Sequence, residues 1–398
     1  MAFDPYGGAP KPLPPVNLDY AASTPLRPEA LDAMADYDQA DYAGVNPNSL
    51  HTLGRAAAAR LEECRRAVAK SFGAKVRPSE VIFTGGGSES NHLALFGLAE
   101  AKRERDHART RIIVSAIEHD SILDNEPLLR ARGFSVEKVR PCAAGYVEPS
   151  SLEALMGPDV ALVSIMLANN ETGVVQPLKE LAAVAHAHGA VFHTDAVQGW
   201  LHIPFEVGKL GVDALSIAGH KVGAPVGIGA LYLKNLVELR AQSLGGGQER
   251  GYRPGTQDLR AIVGLAAVAA ELHPTVADDR AKLQQLSDGI YTALTGYSNI
   301  HATMGDFAAA DRLPGIVSLY VDSMESEQII LKLDGAGFEV SAASACSSGS
   351  LDPSHVLTAM GVPRDKALGS VRISFDDRVD PADLVRFCQA FVNFIARP

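Results

Sequence analysis

Between Glu80 and Leu233 the chain alternates short apolar runs with longer stretches of helical spacing, and this alternation constrains the fold more than any other feature. Strands are predicted at Glu80–Thr84, Arg111–Ser115, Val136–Val139, Val160–Leu167, Val191–Thr194, Ala214–Ile217 and Gly229–Leu233. Helices are predicted at Ser90–Ala101, Asp120–Arg132, Leu152–Met156 and Leu178–His188, the last closed by Gly189, since glycine adopts the left-handed conformation that ends a helix. Strands separated by helices read as βαβ units, so a mostly parallel sheet covered by helices is expected.

From about Asp258 the pattern changes. A long apolar helix, Leu259–Leu272, leads to a charged helical stretch, Ala277–Leu294. A strand, a helix and a strand follow at Ile316–Val321, Ser326–Ala336 and Phe338–Ser341, then a strand at Val371–Phe375 and a last helix at Ala382–Ile395. The expected organisation is α/β: an N-terminal arm (1–30) packing with the smaller domain, a large domain (31–270) and a smaller α/β C-terminal domain (271–398). There is no internal repeat.

Composition excludes several classes. A chain of 398 residues needs no staples to build a core. The longest apolar runs, such as Ala261–Ala270, fall short of the roughly 20 residues of a membrane span. Met1–Pro15 carries five prolines and no apolar core segment, so it reads as a polyproline-like arm and no signal peptide is expected. A net charge of −11 argues against a general nucleic-acid binder. The four cysteines, at 64, 142, 346 and 388, form no CxxC pair, so neither a zinc module nor a disulfide framework is indicated. A cytoplasmic protein with free thiols is expected.

Five local features carry chemistry. In Phe83-Thr84-Gly85-Gly86-Gly87-Ser88 a strand runs through three glycines into a helix. This suits an anion: glycine lets backbone N–H groups approach, and the helix N-terminus adds a favourable dipole. A tight turn with a capping serine reads equally well. The pattern is neither a Walker loop nor GxGxxG.

In Ser216-Ile217-Ala218-Gly219-His220-Lys221 a lysine stands at a strand end, where lost hydration would lower its pKa and suit imine chemistry. It could also merely snorkel. Asp195, at the end of the preceding strand, could hold a pyridinium N–H or cap the next helix. His193 and Asp195 could share a metal, but no third ligand is evident and no metal is expected. His119, after the Arg111–Ser115 strand, could stack on a cofactor and move protons, or be structural. Cys346 lies in a run of Ser, Ala and Gly that cannot contribute much core, so it is expected to be an exposed, mobile thiol; Cys64, Cys142 and Cys388 are expected to be inert. A phosphate cradle, a ring-stacking His, an Asp and a Lys on successive βα elements read together as a pyridoxal 5′-phosphate (PLP) enzyme.

The chain resembles the cysteine desulfurases of the NifS/IscS type, group I, within the class-V aminotransferases of PLP-dependent fold type I. The resemblance runs from Leu18-Asp19-Tyr20 to the final helix. It rests on Asn46-Pro47-Asn48-Ser49-Leu50-His51, Asn169-Asn170-Glu171-Thr172-Gly173, Gly219-His220-Lys221, Gly245-Gly246-Gly247-Gln248-Glu249-Arg250, Arg253-Pro254-Gly255-Thr256 and Ser344-Ala345-Cys346.

The resemblance implies conversion of L-cysteine to L-alanine with a persulfide on Cys346. It implies Lys221 as the Schiff-base lysine and Asp195 and Gln198 on the pyridine nitrogen and ring hydroxyl. His119 would stack on the ring, and Gly87, Ser88 and His220 would hold the phosphate. Thr256 would complete the phosphate site of the neighbouring subunit in a homodimer. Arg372, assisted by Asn170, would clamp the substrate carboxylate. The implied partner is a sulfur-acceptor protein, such as an iron–sulfur scaffold; tRNA, DNA or cofactor sulfur pathways stay open. No direct contact with nucleic acid or membrane is expected.

The chain departs from the family pattern in several places. Ala218 replaces a phosphate-binding Ser, Ser88 replaces Thr, and Pro254 replaces Ser. Phe375-Asp376 stands where Leu-Gly is usual, and Pro398 follows the last helix closely, where scaffold-serving members have a longer tail. The rival activities are a selenocysteine lyase or other PLP-dependent C–S lyase, a dinucleotide oxidoreductase, and a non-catalytic PLP-fold partner protein.

Overall fold

The computed structural model describes residues 14–342 and 352–395. Its centre is a seven-stranded sheet in the spatial order Val81–Thr84, Gly229–Leu233, Ala214–Ala218, Val191–Asp195, Val160–Ser164, Arg111–Ser115, Ser135–Val139. Gly229–Leu233 runs antiparallel to both neighbours and every other pairing is parallel. Four adjacent strands are buried from end to end or nearly so, because helices cover both faces. Consequently the segments after Thr84, Ser115, Ser164, Asp195 and Ala218 emerge along one edge, where open α/β sheets bind ligands.

One face of the sheet packs on the long helix Gly87–Arg105, through Leu93, Leu95, Phe96 and Leu98. The other packs on Thr52–Phe72, Leu178–Ala187 and Leu259–Leu272. Asp258 caps Leu259–Leu272 by accepting from the Ala261 N–H at 3.0 Å. Its apolar face locks against Pro28–Asp38 and Thr52–Phe72. Among the described residues no single helix is long and apolar enough to cross a membrane.

A second core surrounds an antiparallel three-stranded sheet in the order Ser370–Ser374, Ile316–Val321, Ile300–Ala302. The helices Val276–Leu294, Ser326–Asp334 and Pro381–Phe394 cover it. The N-terminal strand Val16–Asn17 pairs in parallel with Phe338–Glu339, and Asp19 bridges Ser374, so the start of the described chain is stitched to this second core.

Several expectations differ in detail: the predicted helix Leu152–Met156 lies at Pro149–Glu153, and the strand predicted at Phe338–Ser341 pairs only over Phe338–Glu339. The predicted helix Asp120–Arg132 is two short helices, Asp120–Leu123 and Glu126–Ala131, with Pro127 in the first turn of the second, where its missing N–H costs nothing. The Val160–Leu167 run stops pairing as a strand at Ser164, although Ile165, Met166 and Leu167 stay buried. Lys221 is not on a strand: Ala214–Ala218 ends first, and Gly219–Lys221 is a single 3₁₀ turn.

Candidate active site

A cavity of about 540 Å³ opens at the carboxyl edge of the large sheet, facing the second core. Gly87, Ser88, His119, Asn170, Asp195, Gln198, His220, Lys221 and Arg372 all line it, so nine expected site residues from six segments meet in one place. Thr256 does not line it; it is exposed on the loop before Leu259–Leu272. Cys346 lies outside the described residues. The described chain on either side of its segment is at the cavity: Ser341 exchanges backbone hydrogen bonds with Arg372 (2.8 and 3.2 Å), and Asp352, Pro353 and His355 line the wall.

The glycine turn is built for close approach. Gly86 has φ +145°, which favours glycine. A Cβ on Gly87 would stand 2.7 Å from Val197 Cγ2. The helix begins at Gly87, so the N–H groups of its first turn have no intrahelical acceptor and face the opening with the positive end of a long helix dipole. His220, its pKa pushed down to about 4 by burial and then by the nearby Lys221 charge, stands beside them as a neutral ring. Ala218 brings a methyl to this corner in place of a hydroxyl.

Asp195 closes the Val191–Asp195 strand with its carboxylate buried. It accepts from Asn91 Nδ2 at 2.6 Å and from the Val197 N–H at 2.9 Å, both neutral donors. Burial raises its pKa. A buried carboxylate held this way is completed by a cationic N–H. His119 caps Asp120–Leu123: its Nδ1 accepts from the Ser121 N–H at 3.0 Å, so a neutral ring carries its proton on Nε2. Gln198 donates to the Ala21 carbonyl at 2.8 Å. Lys221 Nζ donates to the Ala21 and Ala22 carbonyls at 2.7 and 2.8 Å.

Arg372, on Ser370–Ser374, reaches the cavity from the second core with a side chain only 3% exposed. Its guanidinium donates to the Asn170 carbonyl at 2.9 Å and to Asp19 at 2.8 Å. Asn170 thus meets it through the backbone. Arg372 Nε is buried without an acceptor among the described residues. Taken together, a dipole-backed glycine cradle, a buried Asp, a lysine amine and a half-satisfied arginine fit a PLP-bound amino acid.

Sequence reasoning missed several polar groups here. Asn91 holds Asp195 across the sheet. Glu118 is fully buried, accepting from Ser115 Oγ and from the Met166 N–H, and burial raises its pKa to about 8. Glu171 is buried against Ser354 Oγ, and burial raises its pKa to about 7. His355 Nε2 pairs with the Glu118 carbonyl at 3.0 Å. Glu171 falls inside the quoted Asn169–Gly173 motif, and Asn91 lies three residues beyond the quoted glycine turn. His193 sits between Ser164 Oγ (2.8 Å) and Ser216 Oγ (2.9 Å), its pKa lowered to about 3 by burial, and is a neutral strut within the sheet. Burial raises the Cys64 and Cys388 thiols to about 11, which keeps them protonated.

The fold and this cavity define a class-V aminotransferase, and the aminotransferase class-V family matches residues 16–387. The chain is 40% identical over 360 residues to a cysteine desulfurase IscS of Dictyoglomus turgidum, covering 90% of this chain and 89% of the relative. A solved NifS-like protein superposes with a TM-score of 0.85 at 32% identity, covering 94% of this chain and 97% of that one. A structure described as SspA in complex with cysteine superposes with a TM-score of 0.78 at 32% identity, covering 90% and 98%. The chain belongs to the class-V aminotransferase family, in its IscS/NifS-type cysteine desulfurase branch. Members of this family are PLP enzymes.

Proposed function

We propose that this protein is a PLP-dependent cysteine desulfurase, converting L-cysteine to L-alanine and passing the sulfur from Cys346 to an acceptor, as in iron–sulfur cluster assembly. It acts as a cytoplasmic homodimer, with Thr256 serving the neighbouring subunit's phosphate site. One observation carries the reading: Lys221, Asp195 and Arg372 face one cavity beside a helix N-terminus suited to phosphate. The solved relative in complex with cysteine supports the substrate.

When bound, PLP supplies the electron sink that lets bonds at the α-carbon of an amino acid break. Gly87, Ser88 and His220 would hold its phosphate, Gln198 its ring hydroxyl, and Asp195 would keep the proton on its ring nitrogen. Arg372 binds the substrate carboxylate through its fork, which fixes the α-carbon next to Lys221. Lys221 Nζ takes the α-proton. His119, its ring fixed by Ser121, would lie against the cofactor and carry a proton at Nε2 toward or from the substrate. The Cys346 thiolate attacks the substrate sulfur: an S–S bond forms, the C–S bond breaks, and its electron pair stays with the carbon fragment, which is protonated to alanine.

The test is the absorption spectrum of the purified protein before and after cysteine, with mass spectrometry of the Cys346 peptide. Bound cofactor and a mass gain of one sulfur on Cys346 are expected. Cys346→Ala retains the cofactor and stops sulfide release. A colourless protein, or a Cys346→Ala variant releasing sulfide at the normal rate, overturns the reading.

A further inference from the structure

The turn that carries Lys221 is fastened along its whole length by one segment, 20–27. Four consecutive carbonyls of the turn are satisfied by just two residues of that segment. The Thr24 N–H donates to His220 O at 2.8 Å, and Thr24 Oγ1 to Lys221 O at 2.9 Å. Arg27 Nε donates to Val222 O at 3.2 Å, and the Arg27 N–H to Gly223 O at 2.8 Å. The Lys221 ammonium is held by the same segment, through Ala21 O and Ala22 O. Where this segment sits therefore decides where Nζ sits.

The segment is in turn anchored to the second core by a buried charge cluster. The Arg27 guanidinium reaches Asp376 at 3.2 Å and also pairs with Asp377. Asp376, only 3% exposed, is shared with Arg378, whose Nη2 lies 2.7 Å from Oδ2. Arg378 Nη1 returns to the segment, donating to Pro25 O at 3.1 Å and Leu26 O at 3.4 Å. Both arginines that grip the segment thus converge on one carboxylate. A void of about 20 Å³, lined by Tyr20, His202, Lys221 and Asp376, separates the cluster from the back of the lysine.

Without the Asp376 charge the buried Arg27 guanidinium keeps only one of its two carboxylates and Arg378 loses its ion pair, and a buried cation short of a partner is costly. We propose that Asp376 is a positioning residue for Lys221: it fixes Arg27 and Arg378, they fix segment 20–27, and that segment fixes the lysine turn. The proposal rests on the reading above that Lys221 is the cofactor lysine.

The test compares the holoenzyme with Asp376→Asn, Asp376→Glu and Lys221→Ala variants. The readouts are steady-state kinetics with cysteine, thermal melting, and borohydride trapping of PLP on the Lys221 peptide followed by mass spectrometry. In Asp376→Asn, kcat is expected to fall on the order of 10- to 100-fold, as for a misplaced catalytic group. KM should move less than about two-fold, since the carboxylate clamp is untouched. Trapping on Lys221 slows in parallel, and Asp376→Glu recovers most of both. Wild-type kcat and trapping in Asp376→Asn overturn the proposal. So does a lowered melting temperature with unchanged trapping, which marks a structural role only. Trapping of PLP at another lysine in Lys221→Ala overturns the underlying reading instead, whatever Asp376→Asn does.

Discussion

Asn91 and Asp195, 104 positions apart in sequence, meet at 2.6 Å across the carboxyl edge of the large sheet. Asn91 lies in the second turn of the helix that begins at the glycine turn, so under the proposed function one helix serves both the phosphate end and the ring-nitrogen end of the cofactor site. Burial already raises the pKa of Asp195, and the Asn91 hydrogen bond opposes that shift. Asn91→Ala removes the opposing contribution, so the pKa of Asp195 rises further. Cofactor retention is expected to weaken about 10-fold, as befits one hydrogen bond to a charged group. The loss should deepen as pH falls. Equilibrium dialysis of PLP across a pH series checks it, and pH-independent loss would contradict the assignment.

Glu118 and Glu171 give the fold a distinctive pH response. Their pKa values, about 8 and about 7, stand above the ordinary carboxylate value because both are buried. The folded state therefore holds protons that the unfolded chain has already released. Stability from these groups is full below about pH 4.5 and is lost as pH rises toward 7 and 8. Glu118→Gln or Glu171→Gln removes a charge that must otherwise be buried at high pH. Each is expected to flatten the fall in melting temperature between about pH 5 and 8, by roughly 2–4 °C. Calorimetry in low-ionisation-heat buffers measures it, and a steeper fall in the variants would refute it.

Arg372 lines the cavity, held in place by Asp19 and the Asn170 carbonyl. Arg372→Lys keeps the charge and loses the planar fork. KM for cysteine should rise on the order of 10- to 100-fold, with kcat changed much less. Asp19→Asn, which only loosens the guanidinium, should raise KM by a smaller factor. Initial-rate kinetics distinguish the two. Equal effects on kcat and KM would show that the arginine acts on the reacting atoms.

The apolar architecture was legible in the chain. Arg111–Ser115, Gly229–Leu233, Leu259–Leu272 and Ile316–Val321 keep their expected bounds, because each is an apolar run buried almost throughout. The helix Thr52–Phe72 gave no clear start signal: it is capped by His51, whose ring accepts from the Gly54 N–H, in place of the usual Ser, Thr, Asp or Asn. The residues that meet in the cavity at strand ends were picked out by type and spacing. Their supporting polar groups were not. Asn91, Glu171 and Asp376 take their roles from partners 104, 183 and 349 residues away, and no local pattern encodes such contacts.

Gly86 and Gly87 are required for different reasons, and substitution separates them. At Gly86 nothing lies within 4 Å of an added Cβ, but φ is +145°. Gly86→Ala is therefore strained in the backbone and should lower the melting temperature with or without cofactor. At Gly87 φ is ordinary for a helix start, and the obstacle is space: Val197 Cγ2 at 2.7 Å and Ala218 Cβ at 3.4 Å. Gly87→Ala must push the helix N-terminus away from the Val191–Asp195 and Ala214–Ala218 strand ends. Its N–H groups then lose their aim on the phosphate, and PLP affinity should fall about 10-fold or more. Overpacking of this kind costs about 1–3 kcal/mol, so the apoprotein still folds. Fluorescence titration of the two apoproteins with PLP, beside their thermal melts, reads both effects. A Gly87→Ala apoprotein that binds PLP with wild-type affinity would remove the glycine cradle from the phosphate site.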